Sequence, residues 1–148
     1  MSLMASLFRK ATNKIDHVSS VCQVKPGEDG LACVAIILKA HNFKESMEGL
    51  QKKYPQFSCG MSLKAIVDIF HQYGFITRPL HCPIDEVQNL KFPCILHWDM
   101  NQFVVLNRVD GGIFTVLNPV DKKSRYKKDE FEQHYSDVAL EICFATTL

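Results

Sequence analysis

The sequence predicts an α+β domain, a helical lobe followed by an antiparallel sheet. Three observations predict it. Apolar residues recur at helical spacing through the first half, most clearly from Leu31 to Leu38 and from Leu63 to Tyr73. From Phe75 onward they fall into short runs separated by turn residues, which is strand behaviour. Two of those runs flank Asp110-Gly111-Gly112, a hairpin turn in which glycine tolerates positive φ. Helices first and strands second indicate α+β, and 148 residues make one domain with a real core.

Residues 1–21 read as an N-terminal extension to a domain over 22–145. Met4, Phe8, Ala11, Ile15 and Val18 in it lie at helical spacing, and Met1-Ser2-Leu3 ahead of a second Met reads as an added leader. A turn-prone segment broken by Gly27 and Gly30 then delivers the chain to a helix that is apolar nearly all round, with Asp29 at or beside its cap and Asn42 as its stop. Residues 44–54 read as a more exposed helix, weakened by Gly49 and ended before Pro55. Ser62 caps a third helix, with Leu63, Ile66, Val67, Phe70 and Tyr73 on one stripe and Gly74 at its end. Residues 75–80 are extended, 83–90 a helical turn, and 93–98 a buried strand entered through proline. Residues 102–109 and 113–118 form the hairpin, 129–135 a short helix, and 138–144 the closing strand. The basic run from Lys122 to Lys128 reads as a charged sheet edge or loop, since charge keeps edges soluble; its sharper reading is a patch for an acidic partner.

Composition narrows the function. A net charge of +1 gives no general attraction for nucleic acid. No run approaches the ~18 apolar residues of a membrane span. Six cysteines show no Cys-x-x-Cys spacing, so they read as reduced core thiols rather than as a zinc site or a disulfide framework. No cofactor is expected.

Gln23, followed by Asp29-Gly30-Leu31-Ala32-Cys33 and a hydrophobic helix, resembles the entry to the catalytic helix of the double-glycine leader peptidases, the papain-like domains at the N-terminus of bacteriocin-secreting ABC exporters. Gly60-x-Ser62-Leu63, Pro93-Cys94-Ile95-Leu96-His97-Trp98, Gln102-Phe103-Val104-Val105-Leu106 and Asn118-Pro119 extend the likeness along the chain. The resemblance implies a papain-like fold, a helical lobe packed on an antiparallel β-sheet lobe. It also implies a Cys nucleophile, a His base and an orienting Asp, because such a peptidase needs a thiolate at a helix N-terminus and an imidazole within reach. Those positions hold Asp29, Gln102 and Asn118, while Gln23 matches the oxyanion-stabilising position.

Glutamine has no titratable proton near neutral pH and cannot serve as a general base, and losing triad members costs several orders of magnitude in rate. The expectation from these residues is a domain that is not an enzyme, its former triad joined as a hydrogen-bonded knot in which Gln102 and Asn118 donate to Asp29. The resemblance then implies a cytosolic domain of an inner-membrane exporter that docks an unfolded secretion substrate, in the groove between the lobes or on another face, with Trp98 and Gln23 as peptide contacts (Trp98 reads equally as a core residue) and with transmembrane and nucleotide-binding domains as partners in the parent chain. ATP chemistry would reside in that nucleotide-binding domain, since this sequence contains no Gly-x-x-x-x-Gly-Lys-Ser/Thr. The alternatives are an active leader peptidase using non-standard residues and a free-standing peptide-binding module.

Overall fold

In a computed structural model, residues 27–119 and 122–144 are described. The first helix, α1 (Asp29–Ala40), buries every residue from Asp29 to Leu38, as its all-round apolar surface requires. It stops where Asn42 takes φ 66°, the left-handed conformation that Asn tolerates. There the Phe43 N–H closes the end by donating to the Leu38 carbonyl at 3.0 Å. Helix α2 (Met47–Lys53) is shorter than the expected 44–54, because Ser46 is extended and its Oγ accepts from the Gly49 N–H, which fixes the start. A 3₁₀ turn (Pro55–Phe57) follows. Helix α3 (Leu63–Gln72) is capped by Ser62, whose Oγ accepts from the Ala65 N–H, and it ends at Gly74, φ 85°.

The strands are β1 (Phe75–His81), β2 (Cys94–Trp98), β3 (Gln102–Asp110), β4 (Ile113–Leu117), β5 (Lys123–Lys127) and β6 (Tyr135–Phe144). They form one sheet in the order β1-β6-β2-β3-β4-β5, every neighbouring pair antiparallel. A 3₁₀ turn (Ile84–Asn89) links β1 to β2, and α4 (Lys128–Glu132) links β5 to β6. Helix α4 is shorter than the expected 129–135, and β6 starts three residues earlier than expected. Tyr135 is already paired with Trp98 of β2, so the sheet claims residues that the helical pattern had claimed. The basic run is the outermost strand, β5, among the described residues. The amphipathic pattern of residues 1–21 and Gln23 lie outside the described residues.

Both faces of the sheet are covered. Alternation along β3 sends Phe103 and Val105 toward α1 and α3, where they join Leu31, Ile37, Phe70 and Leu140 in one core. It sends Val104 and Leu106 to the other face, where Trp98, Phe114 and Phe131 form a second core. Full burial of side chains this size contributes roughly 1.5–3 kcal/mol each.

Candidate functional site

The N-terminus of α1 is where the helices and the sheet meet. The chain enters it through Gly27 at φ 92°, and the Cys59 main chain lies so close that a Cβ on Gly27 would stand 3.0 Å from its carbonyl carbon. A Cβ on Gly30 would come within 2.6 Å of Met61 Cγ. The absence of side chains at both glycines therefore lets the loop before α3 close over the start of α1.

Two carboxylates are buried at that start. Glu28 is the N-cap residue and accepts from Gln51 Nε2 of α2 at 2.8 Å. Asp29, only 7 % exposed, accepts through Oδ2 from the Phe103 N–H of β3 at 2.7 Å. A bond from an amide to a carboxylate is stronger than a neutral one, and the positive end of the helix dipole favours both anions. Asp29 is thus the first residue of the helix, and its carboxylate reaches across to the sheet. The expected knot is corrected in this respect: the donor from β3 is a main-chain amide, one residue beyond Gln102.

Register explains the substitution of donor. Gln102 pairs with Trp98, on the alternation that feeds the second core, whereas Phe103 pairs with His97 on the alternation facing α1. Asn118 follows the end of β4, and its N–H donates to the Lys122 carbonyl at 3.2 Å, closing the β4–β5 link. Of the two readings of Trp98, the peptide contact is corrected and the core residue holds. It is 1 % exposed and its ring stacks on His134 at 5.0 Å and packs edge-on to Phe131, so it is a core residue that offers no face to a peptide. The apolar alternation of β2 does not distinguish a strand with one wet face from a strand with two cores.

His97 belongs to the Pro93–Trp98 motif but to none of the three triad positions. The structure places it half-buried on the α1 side, its ring 5.5 Å from that of Phe103. Its cross-strand partner is the residue whose amide holds Asp29, a relation that only the strand register reveals. Cys33, one turn into α1, is fully buried; burial, and secondarily the Asp29 charge, push its thiol well above the ordinary range and keep it protonated. Cys59 is the exposed thiol among the described cysteines. Among the described residues no three His, Cys, Asp or Glu side chains gather to hold a metal ion, and no helix is long and apolar enough to cross a membrane.

Residues 17–146 match the peptidase C39 family. The chain belongs to that family. Over 140 residues, 91 % of its length, it is 33 % identical to the colicin V secretion/processing ATP-binding protein CvaB and 32 % identical to the probable microcin-H47 secretion/processing ATP-binding protein MchF, both of Escherichia coli. The matched region spans 20 % of the length of each of those relatives. The fold is that of a double glycine motif protease from an AMS/PCAT transporter, solved in complex with its leader peptide. The TM-score is 0.77 at 21 % identity, over 83 % of this chain and 89 % of that one.

Membership corrects the expectation that this C39 domain is not an enzyme. That expectation rests on Asp29, Gln102 and Asn118 alone, whereas the match across 17–146 is to a family of peptidases. Residue types at three positions describe what those side chains cannot do. They leave unaddressed the other side chains near the α1–β3 junction, including the imidazole of His97 on the α1 side.

Proposed function

We propose that this C39 domain is the substrate-engaging part of a bacteriocin- or toxin-secretion ABC exporter. It acts on the cytosolic side of the inner membrane and takes the leader segment of the secretion substrate where the N-terminus of α1 meets β3. The transmembrane and nucleotide-binding domains of the parent exporter are its partners, and ATP hydrolysis belongs to the latter. The domain itself works without a cofactor and without nucleic acid.

One observation carries this reading: a peptidase C39 domain shares about 90 % of its length with proteins named for both secretion and processing. The junction supports it physically. The Asp29–Phe103 bond fixes the helical lobe against β3, so a peptide entering there meets a preorganised wall, and preorganisation lowers the entropic cost of binding. Cleavage of the leader after its double glycine is the second reading, favoured by the same family membership.

A synthetic double-glycine leader peptide tests both. Calorimetry should show saturable binding that Asp29→Ala weakens, because loss of the carboxylate lets the two lobes shift. Mass spectrometry of the same mixture reads cleavage, and fragments ending at the double glycine establish processing. Absence of saturable binding with the folded domain would overturn the proposal.

A further inference from the structure

The basic run forms an outer strand with its charges sorted to one face. Along β5, Lys123, Arg125 and Lys127 are exposed, while Ser124 and Tyr126 between them are half-buried. The three cations sit opposite Leu117, Thr115 and Ile113 of β4, and therefore on a single face of the sheet. Arg108 of β3 continues the middle row, being paired with Thr115 on the other side, and it bonds to Asp110.

Two of the acids nearby are occupied elsewhere. Asp85 is bound by Lys128, and Glu130 Oε1 accepts the Lys127 N–H to cap α4. Among the described residues, no ion pair engages the side chains of Lys123, Arg125 or Lys127. With a net charge of only +1 for the whole chain, three unneutralised cations on one strand are a local feature rather than a general polyanion surface. The row starts beside Leu117, a residue of the core that α1 covers, and so leads away from the α1–β3 junction.

We propose that the outer edge of β5 is a second docking surface for the secretion substrate. It takes an extended acidic segment that adds to the sheet as a further strand, with carboxylates at alternate positions facing Lys123, Arg125 and Lys127. This rests on the reading of the domain as substrate-engaging. Two complementarities select this occupant. An edge strand presents main-chain N–H and C=O groups to a partner backbone. Cations at every second residue recur at roughly 6.8 Å, which is the repeat of an extended peptide but not of a membrane surface or a helix. Exposed apolar anchoring is also missing here: Met100, the large apolar side chain most exposed among the described residues, sits on the β2–β3 turn.

The test uses a fluorescein-labelled decapeptide of alternating Thr and Glu, read by fluorescence anisotropy with the whole chain. Controls are a peptide of the same composition with its five Glu residues in a block, an alternating peptide N-methylated at every second residue, and phosphatidylglycerol vesicles. The alternating peptide should bind more weakly as salt rises. The triple substitution Lys123→Gln, Arg125→Gln, Lys127→Gln, all at exposed positions, should weaken it about tenfold, on the scale of three exposed ion pairs, with no change in Tm. Equal binding by the triple variant, by the block peptide or by the N-methylated peptide overturns the proposal, as does preferential capture of the vesicles. The double-glycine leader peptide separates the two readings. If it binds and the alternating peptide does not, the edge proposal falls and the substrate-engaging role stands. If only the alternating peptide binds, that role falls and the edge survives as a general acidic-peptide site.

Discussion

Single side chains decide how the junction is held. The Phe103 N–H has its acceptor in Asp29, so Asp29→Ala leaves a buried donor without a partner, at a cost of about 1–3 kcal/mol. Urea denaturation should show that loss, and a smaller one for Asp29→Asn, which keeps an acceptor oxygen. Among thiols, burial separates Cys59 from Cys33, Cys82, Cys94 and Cys143. Iodoacetamide followed by peptide mapping should label Cys59 in the native domain and the other four only on unfolding. His41 supplies a pH dependence. Its Nδ1 bonds to the Ile37 carbonyl at 3.0 Å, and its Nε2 is buried with no partner among the described residues. Burial, with a smaller push from Lys91, lowers its pKa below the usual 6.5 despite that carbonyl. The unfolded chain therefore takes up the proton first, and this group costs stability as pH falls below about 6.5. Urea midpoints should be lower at pH 5 than at pH 7.5, and His41→Gln should narrow the gap.

At the scale of elements, what the sequence makes legible is what is encoded locally. Helices α1 and α3 are readable to within a residue or two because Ser62, Asn42 and Gly74 state their ends through cap and turn chemistry that needs no distant partner. The β3–β4 hairpin is readable for the same reason, through Gly111 and Gly112 at positive φ. The insertion of β6 between β1 and β2 is not, since it depends on pairing Leu140 with Ile95 across forty-five positions of chain, and no local pattern records it. The site divides along the same line. Asp29 is marked by its motif, but its donor is a main-chain amide with no side-chain signature, and Trp98 is buried by Phe131 and His134, which arrive more than thirty residues later. The close approach at Gly27 carries its own prediction. Gly27→Ala must hold φ 92° and push against the Cys59 main chain, which cannot give way as a side chain can. It should destabilise the domain by at least the ~1–2 kcal/mol of a left-handed non-glycine residue. A larger loss for Gly27→Ala than for Gly111→Ala, whose Cβ meets nothing within 4 Å, would attribute the excess to the packed loop.

For the whole molecule, the central question is whether two cores on opposite faces of one sheet unfold together. Helices α1, α2 and α3 lie on one face, and Trp98 reports the other: it is the only tryptophan in the chain, fully buried against Phe131 and His134. The strands between them belong to both cores. β3 contributes Val105 to one and Val104 to the other, and β6 contributes Leu140 and Ala139 in the same way. Losing either core strips one side of the strands that carry the other, and Asp29 adds a direct tie from α1 to β3. The domain should therefore unfold in one step, with Trp98 fluorescence and far-ultraviolet circular dichroism giving the same urea midpoint. Phe131→Ala removes the ring that Trp98 packs against and should cost about 3–5 kcal/mol. Because the sheet is shared, that substitution should move the helical signal as far as the fluorescence, although Phe131 lies on the face away from α1. If fluorescence alone moved, the two cores would be separable, and the junction at Asp29 would be a hinge between independently stable halves.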